Sequence, residues 1–439
     1  MRRIARPLLY LGTVAVVVGF GRIHAQFIGK YYFHSSARLP WAFGYAVLLC
    51  FAAYGMGLPD LTRSRRSTLG AAVGAVGAAA VGISVVQLVF GSLLLPRFVV
   101  AASALTLVVW YWVCARLAMA GRDRAELRDR VVAVVSVEEA EALRSDLALA
   151  PERPATLVAA LTPPEACSVG PQSKPLLEAA LIGRASLIVL DRGAQADESI
   201  VAQAAALHEN GIRVRTLSLF YDEWLGKLPL SELERVSLMF DIGELHRSRY
   251  GRVKRLADAL LGLAGLVVLI PVTALVIVGN LIANRGPLFY HQARLGKNGH
   301  RFEMVKFRTM RGEDRTTAWT ELDDPRVTPF GRWLRRTHVD ELPQVLNVLR
   351  GDLSIVGPRP EQPKYVAELR EKIPFYDLRQ RVRPGLTGWA QVKYPYAASE
   401  MDAMEKLQYE FYYLRHQDLT LDLRIVGRTL RSVLGRQGR

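Results

Sequence analysis

The chain has 439 residues, half of them apolar and 22% charged, so it is long enough for two or three domains and too hydrophobic to be disordered. A net charge of +16 beside a mean hydropathy of +0.13 places basic and apolar residues in different segments, as membrane spans with basic flanks would. Three scattered cysteines, Cys50, Cys114 and Cys167, exclude both a disulfide framework and a cysteine zinc site.

Four apolar runs, residues 4–20, 41–58, 69–95 and 98–119, approach or exceed the length needed to cross a ~30 Å hydrocarbon core as helix. A removable signal peptide is the competing reading of the first run, but no small-residue cleavage site follows it. Arg2, Arg3 and Arg6 precede the first run, Arg63, Arg65 and Arg66 separate the second from the third, and Arg122, Arg124, Arg128 and Arg130 follow the fourth. This bias predicts cytoplasmic termini, although Arg22, Lys30 and Arg38 in the first outer loop oppose it. Gly70, Gly74, Gly77 and Gly82 lie inside the third run and read as close helix packing in lipid rather than a phosphate loop.

Residues 121–245 change character. Short β-branched or aliphatic runs at 131–135, 157–161, 187–190 and 214–217 alternate with helical stretches, which predicts a small Rossmann-like parallel α/β domain. Ser136-Val137-Glu138-Glu139 follows its first strand where a dinucleotide site needs glycines, so no cofactor is expected there. Spacing, regulation or dimerisation are the roles left to it.

A further apolar run covers 256–278, preceded by Lys254-Arg255, with Asp258 near its start, Asn284-Arg285 after it, and Pro271 inside it. A fifth span would place the basic remainder of the chain outside the cell, away from nucleotide substrates. Pro271 lacks an N–H and clashes with the preceding turn, so a re-entrant helix over 252–283 is expected instead.

From residue 289 onward arginine, lysine, aromatics, glycine and proline crowd into compact blocks. In the block around Asp340-Glu341-Leu342-Pro343-Gln344, the positions Leu342, Val345, Leu346 and Leu349 follow helical spacing, and Pro343 is tolerable only in a first turn. Asp340 and Glu341 therefore sit at a helix N-terminus, where free N–H groups favour carboxylates and phosphates. An isolated pair would be read as capping. Here Arg332, Arg335 and Arg336 precede it and Gly357-Pro358-Arg359-Pro360 follows, a setting suited to a pyrophosphate. Two such acids can share Mg²⁺, and one can attack phosphorus. Phosphate contacts explain the arginines, and the aromatics form no regular stacking platform, so no nucleic acid partner is expected.

Residues 252–430 resemble the catalytic domain of the monotopic polyprenyl-phosphate phosphoglycosyl transferases, the bacterial sugar transferases. The resemblance rests on Lys254-Arg255-x-x-Asp258, Phe289-Tyr290-x-Gln292-x-Arg294-x-Gly296-x-x-Gly299, Lys306-Phe307-Arg308-Thr309-Met310, Asp324-Pro325-Arg326, Asp340-Glu341-Leu342-Pro343-Gln344, Asn347-Val348-Leu349-x-Gly351-Asp352, Val356-Gly357-Pro358-Arg359-Pro360 and Arg383-Pro384-Gly385-x-Thr387-Gly388. The amino-terminal spans and α/β domain resemble the large form of the family.

The resemblance implies Asp340 as nucleophile, Glu341 as its partner at Mg²⁺, and Lys306, Arg308, Arg335, Arg359 and Arg383 as residues binding the substrate phosphates or nucleotide. It implies Lys254, Arg255, Asp258 and Pro271 as features of the re-entrant helix. Ile270 and His338-Val339 depart from the family pattern, and His338 is assigned no catalytic role. The implied fold is a membrane protein with four transmembrane helices (1–120), a cytosolic α/β domain (121–245) and an α/β catalytic domain (246–439). The implied reaction transfers a hexose 1-phosphate, with glucose or galactose foremost, from a UDP-sugar to undecaprenyl phosphate and starts a surface polysaccharide. It implies an inner-membrane protein acting in the bilayer with its catalytic domain facing the cytoplasm; the four spans and the α/β domain, without evident catalytic work, offer a surface for a homodimer. The alternative from the residues alone is a membrane scaffold or regulator of polysaccharide export.

Overall fold

A computed structural model describes residues 2–34, 36, 38–59, 65–90, 95–119, 129–150, 155–168, 173–229, 247–284, 286–310, 326–394 and 400–434. Arg63, Arg122, Arg124, Arg128, Arg285, Asp324 and Pro325 lie outside the described residues, as do the side chains of Arg2, Arg3, Arg6, Arg65 and Arg66. The chain divides into two compact units, one of residues 1–120, 244–392 and 417–439, the other of residues 121–243 and 393–416.

The first unit begins with four helices, α1 (Arg2–Ile23), α2 (Arg38–Gly55), α3 (Arg65–Phe90) and α4 (Arg97–Met119). Their shared core is rich in alanine (Ala42, Ala46, Ala53, Ala72, Ala75), with Tyr45 and Tyr111 as its large members. Small side chains let the helices approach closely where lipid supplies no hydrophobic drive between them. Pro7–Ile28 and Arg97–Ala118 are long and apolar enough to cross a membrane, and Thr68–Ser84 is an apolar stretch within α3. Within the glycine run, Gly82 packs against Leu48 of α2, but Gly70 and Gly77 face open space. The tight helix crossing lies elsewhere, as shown below.

α8 (Arg247–Ala283) is a single 37-residue helix that continues through Pro271. Its stretch Tyr250–Ala283 is, among the described residues, a third segment long and apolar enough to span. A hairpin follows, β5 (Phe289–Leu295) paired antiparallel with β6 (Arg301–Phe307), with Tyr290 opposite Lys306. Next come α9 (Pro329–Arg336), a 3-10 helix (Val339–Gln344), α10 (Val345–Arg350), β7 (Ser354–Val356), α11 (Pro363–Lys372), a second 3-10 helix (Tyr376–Arg381) and β8 (Gly385–Thr387), which pairs parallel with β7. The core joins Leu269 and Val276 of α8 to Phe307 and Leu334, with Phe330, Leu342 and Leu346 packed against them.

α13 (Leu419–Leu434) closes this unit. Gly427 of α13 meets Gly55 of α2 so closely that a Cβ on either would collide with the other's backbone. Arg424 Nε donates to Tyr54 Oη at 3.1 Å beside this crossing. The amino-terminal helices and the transferase-like segment thus share one packed body.

The second unit carries a four-stranded parallel sheet in the order β2 (Ala155–Leu161), β1 (Asp129–Val134), β3 (Leu187–Leu190), β4 (Arg213–Thr216). Successive residues of β1 serve opposite faces, as strand geometry requires. Val131 and Ala133 pack with Leu143 of α5 (Val137–Leu149), and Val132 and Val134 pack with Leu176 of α6 (Pro175–Ile182) and Ile200 of α7 (Glu198–Glu209). Ser136 caps α5 by accepting from the Glu139 amide at 3.3 Å.

α12 (Glu400–Arg415) belongs to this unit although it follows the transferase-like blocks. Lys227, 2% exposed, pairs with Asp146 of α5 at 2.8 Å and Glu405 of α12 at 2.7 Å, and His416 meets Asp222 at 2.7 Å. A buried ammonium needs such partners, because isolated it would lose its hydration without return.

Candidate active site

The carboxylate pair is positioned by a break between two helices. Thr328 caps α9 by accepting from the Gly331 amide at 2.9 Å, with Pro329 in the first turn. Past Arg336 the backbone turns left-handed at His338 (φ 56°), and the 3-10 helix opens with Asp340 and Glu341 in its first turn. The α-helical part begins only at Val345 rather than at Leu342. Pro343 has no N–H to donate, so the segment around it takes the tighter 3-10 form.

The periodic apolar positions nevertheless face α8. Val345 lies 2.9 Å from where a Cβ on Gly265 would stand, and Leu349 lies 2.9 Å from the same point on Gly262. A side chain on either glycine would displace Val345 or Leu349 of α10, the helix that continues from the turn bearing Asp340 and Glu341.

Asp340 is 8% exposed, and burial, then the adjacent Glu341 charge, push its carboxyl from an ordinary 3.8 up to about 6. Burial would raise Glu341 as well, but Lys306 and Arg359 outweigh it and hold this carboxyl down at about 2. Lys306 Nζ donates to Glu341 Oε1 at 2.8 Å, and an Arg359 guanidinium nitrogen stands 3.9 Å from the same oxygen. Two adjacent acids are thereby given different characters: Glu341 a fixed anion, Asp340 a carboxyl that ionises near neutrality. Perturbation of this kind by burial and specific charge partners is enriched at functional sites.

The remaining predicted residues fall into three places. Lys306 on β6 and Arg359 after β7 converge on Glu341, while Arg335 Nε donates to Thr309 Oγ1 at 2.9 Å and lowers the Asp340 pKa by its charge. Arg308 is turned to the end of α8: its guanidinium donates to the Asn284 carbonyl, and Asn284 Nδ2 returns a bond to the Arg308 carbonyl at 2.7 Å. Arg383 is half-buried, with its carbonyl packed against Gly357.

At the other end of α8, Arg255 donates to the Val348 and Leu349 carbonyls at 2.6 and 2.7 Å. Asp258 accepts from Ser354 Oγ at 3.0 Å and the Ile355 amide at 2.9 Å, and Lys254 pairs with Asp422 at 2.6 Å. No sequence signal marks Thr309, Asn284 or Ser354 as partners in these contacts. Arg379, described below, lies outside every quoted block, and only its burial marks it.

Among the described residues no group of three or more His, Cys, Asp or Glu is placed to hold a metal. Asp340 and Glu341 do suit Mg²⁺, a hard cation that binds through one or two carboxylates while keeping waters and substrate phosphates.

A family model described as bacterial sugar transferase matches residues 249–436. A UDP-glucose:undecaprenyl-phosphate glucose-1-phosphate transferase of Caulobacter vibrioides is 36% identical over 196 residues, covering 44% of this chain and 73% of the relative. The chain belongs to the bacterial sugar transferases. A UDP-N-acetylgalactosamine-undecaprenyl-phosphate N-acetylgalactosaminephosphotransferase of Aeromonas hydrophila is 39% identical over 187 residues, 42% of this chain and 44% of that protein. A UDP-glucose:undecaprenyl-phosphate glucose-1-phosphate transferase of Xanthomonas campestris pv. campestris is 38% identical over 221 residues, 49% of this chain and 44% of its own. The matches to these last two relatives cover under half of either protein's length. Asp340, Glu341 and all of the basic residues around them lie inside the segment that matches the family model.

Proposed function

We propose that this sugar transferase moves a hexose 1-phosphate from a UDP-sugar to undecaprenyl phosphate, giving undecaprenyl-diphospho-sugar and UMP. The observation that carries the reading is the divided carboxylate pair, a buried Asp340 that ionises near pH 6 beside a Glu341 locked by Lys306. The relatives' names supply the substrate classes.

In the first step a carboxylate oxygen of Asp340 attacks the sugar-bearing phosphorus, the phosphoanhydride bond breaks, and its electron pair leaves on UMP. In the second a phosphate oxygen of the polyprenyl carrier attacks the same phosphorus and the aspartyl oxygen departs, restoring the carboxylate. One phosphoanhydride replaces another, so no ATP is consumed. Lys306, Arg335 and Arg359 neutralise the charge that gathers on the diphosphate. Mg²⁺ held by Asp340 and Glu341 would supply further charge neutralisation on those phosphates.

The same reading places the four amino-terminal helices in the cytoplasmic membrane, with α8 re-entrant and the catalytic segment on the cytoplasmic side. In support, polar contacts of one unit reach both ends of α8, Ser354 at Asp258 and Arg308 at Asn284, roughly 40 Å apart along a helix of this rise. A straight crossing would draw those contacts across the hydrocarbon. Leu260, Ile270, Leu275, Leu281 and Ile282 on the outer face are more than half exposed, as a lipid-facing surface requires.

The test is UMP release by the full chain in lipid, screened across UDP-sugars with undecaprenyl phosphate present. Brief stoichiometric release from UDP-sugar alone, followed by turnover once lipid is added, supports the two-step reading, whereas release only when both substrates are present supports the transfer and counts against the aspartyl intermediate. No release with any UDP-sugar overturns it and leaves a scaffold.

A further inference from the structure

The turn that presents Arg359 is held by its own carbonyls. Four in succession accept bonds from other elements: Pro358 from the Gly385 amide at 2.8 Å, Arg359 from Arg379 at 2.9 Å, Pro360 from Arg294 at 3.0 Å and Glu361 from the Leu295 amide at 3.0 Å. Pro358 and Pro360 have fixed φ and no N–H, so carbonyls and side chains are what remain to anchor the segment. Both arginines are sequestered. Arg379 is 6% exposed, and its second nitrogen donates to Tyr376 Oη at 3.0 Å. The Arg294 side chain is 12% exposed, bonded to Gln292 Oε1 at 2.6 Å and 3.7 Å from Glu361. Burying a guanidinium group is costly unless hydrogen bonds or a counter-charge offset it, and a backbone carbonyl of this one turn takes part in satisfying each of the two. The Arg359 side chain is 44% exposed, so its placement depends on its backbone.

We infer that Arg294 and Arg379 are positioning residues whose task is to aim Arg359 at the Glu341 side of the site, where the donor diphosphate binds. This deepens the proposed phosphosugar transfer and rests on it. A guanidinium fixed beforehand loses no freedom when the diphosphate arrives. Arg379 spans two acceptors as a fork, and lysine keeps the charge without that geometry.

The experiment uses the full chain in lipid nanodiscs with Arg294→Lys, Arg379→Lys and Arg359→Ala, singly and combined. Each lysine variant should lower kcat/KM for the UDP-sugar on the order of tenfold to a hundredfold, with the KM for the polyprenyl phosphate unchanged. Either one added to Arg359→Ala should cost nothing more. Amide exchange at Gly357, Arg359 and Glu361 should quicken while β5, β6 and α10 stay protected. Additive losses, or exchange at the turn no faster than in the wild type, would overturn the positioning role, as would loss of protection throughout. Absence of UMP release by the wild type strikes instead at the transfer reading, and the exchange measurement then decides this one alone.

Discussion

Lys306 Nζ stands 2.8 Å from Glu341 Oε1, and the charge of this one strand residue opposes the burial that raises both the Glu341 and the Asp340 carboxyls. Burial raises the Glu341 pKa, Lys306 is the largest of the influences that lower it, and the same ammonium also lowers that of Asp340. With Asp340 at about 6 and the nucleophile needed as carboxylate, kcat/KM should rise with pH through that value and level above it. Lys306→Met should move the limb to higher pH and lower kcat on the order of a hundredfold. A profile flat from about pH 5 to pH 8 would show that no group titrating near 6 controls the reaction.

Asp340→Asn keeps the shape and removes the nucleophile, so turnover and the aspartyl-phosphosugar should both vanish. Its stability effect has a defined sign. The folded carboxyl is raised from 3.8 to about 6, so stability is fullest below the lower value and falls as pH rises through the upper one. Without metal, the Asp340→Asn protein should therefore melt higher than wild type above pH 6, by on the order of 1–3 kcal/mol, and alike below about pH 4. Intact-protein mass spectrometry after an acid quench reads the adduct, and calorimetry the stability. Turnover by the asparagine variant would remove Asp340 as nucleophile.

The proposed metal ligands, Asp340 and Glu341, offer only hard oxygen donors, so EDTA should abolish turnover and Mg²⁺ or Mn²⁺ restore it. Glu341→Gln should raise the metal concentration needed for half-activity on the order of tenfold or more. Full activity in chelator sinks the metal proposal while leaving the carboxylate chemistry standing.

Topology can be checked independently. Single cysteines at Lys254 and Arg285 should label from the same, cytoplasmic side, and Pro271→Leu should favour a straight span with activity lost. Labelling of position 285 from the periplasm alone contradicts a re-entrant α8.

The Gly55–Gly427 approach predicts that Gly427→Val destabilises the unit by roughly 1–3 kcal/mol through forced separation of α2 and α13. The proposed chemistry assigns no role to a residue before 246, so a 246–439 fragment should retain turnover in lipid but melt lower than the full chain. Equal thermal stability of the Gly427→Val and wild-type proteins would mean the crossing contributes nothing.

Much of the site was legible in residue order because its signals are local. Periodicity put Leu342, Val345, Leu346 and Leu349 on one face, and Pro343 announced a special first turn beside the two acids. Apolar run length marked the long helices, and alternation of short aliphatic runs marked the parallel sheet. What the tertiary structure decided are partnerships between distant residues. The family resemblance implies Arg308 as a residue near the substrate phosphates, and its bonds to Asn284 at the end of α8 are visible only once the hairpin brings the two together. Arg379 had no motif at all and acquires its place from a carbonyl twenty residues away. α12 reads as part of the transferase segment, but the buried Lys227 draws it to the α/β sheet through Glu405. The sequence by itself determined which residues could bear charge, turn or hide in lipid, since those properties belong to a residue and its neighbours. Which charge is neutralised by which partner depends on chain segments meeting in space, and only the folded packing sets that distance and the burial that gives it force.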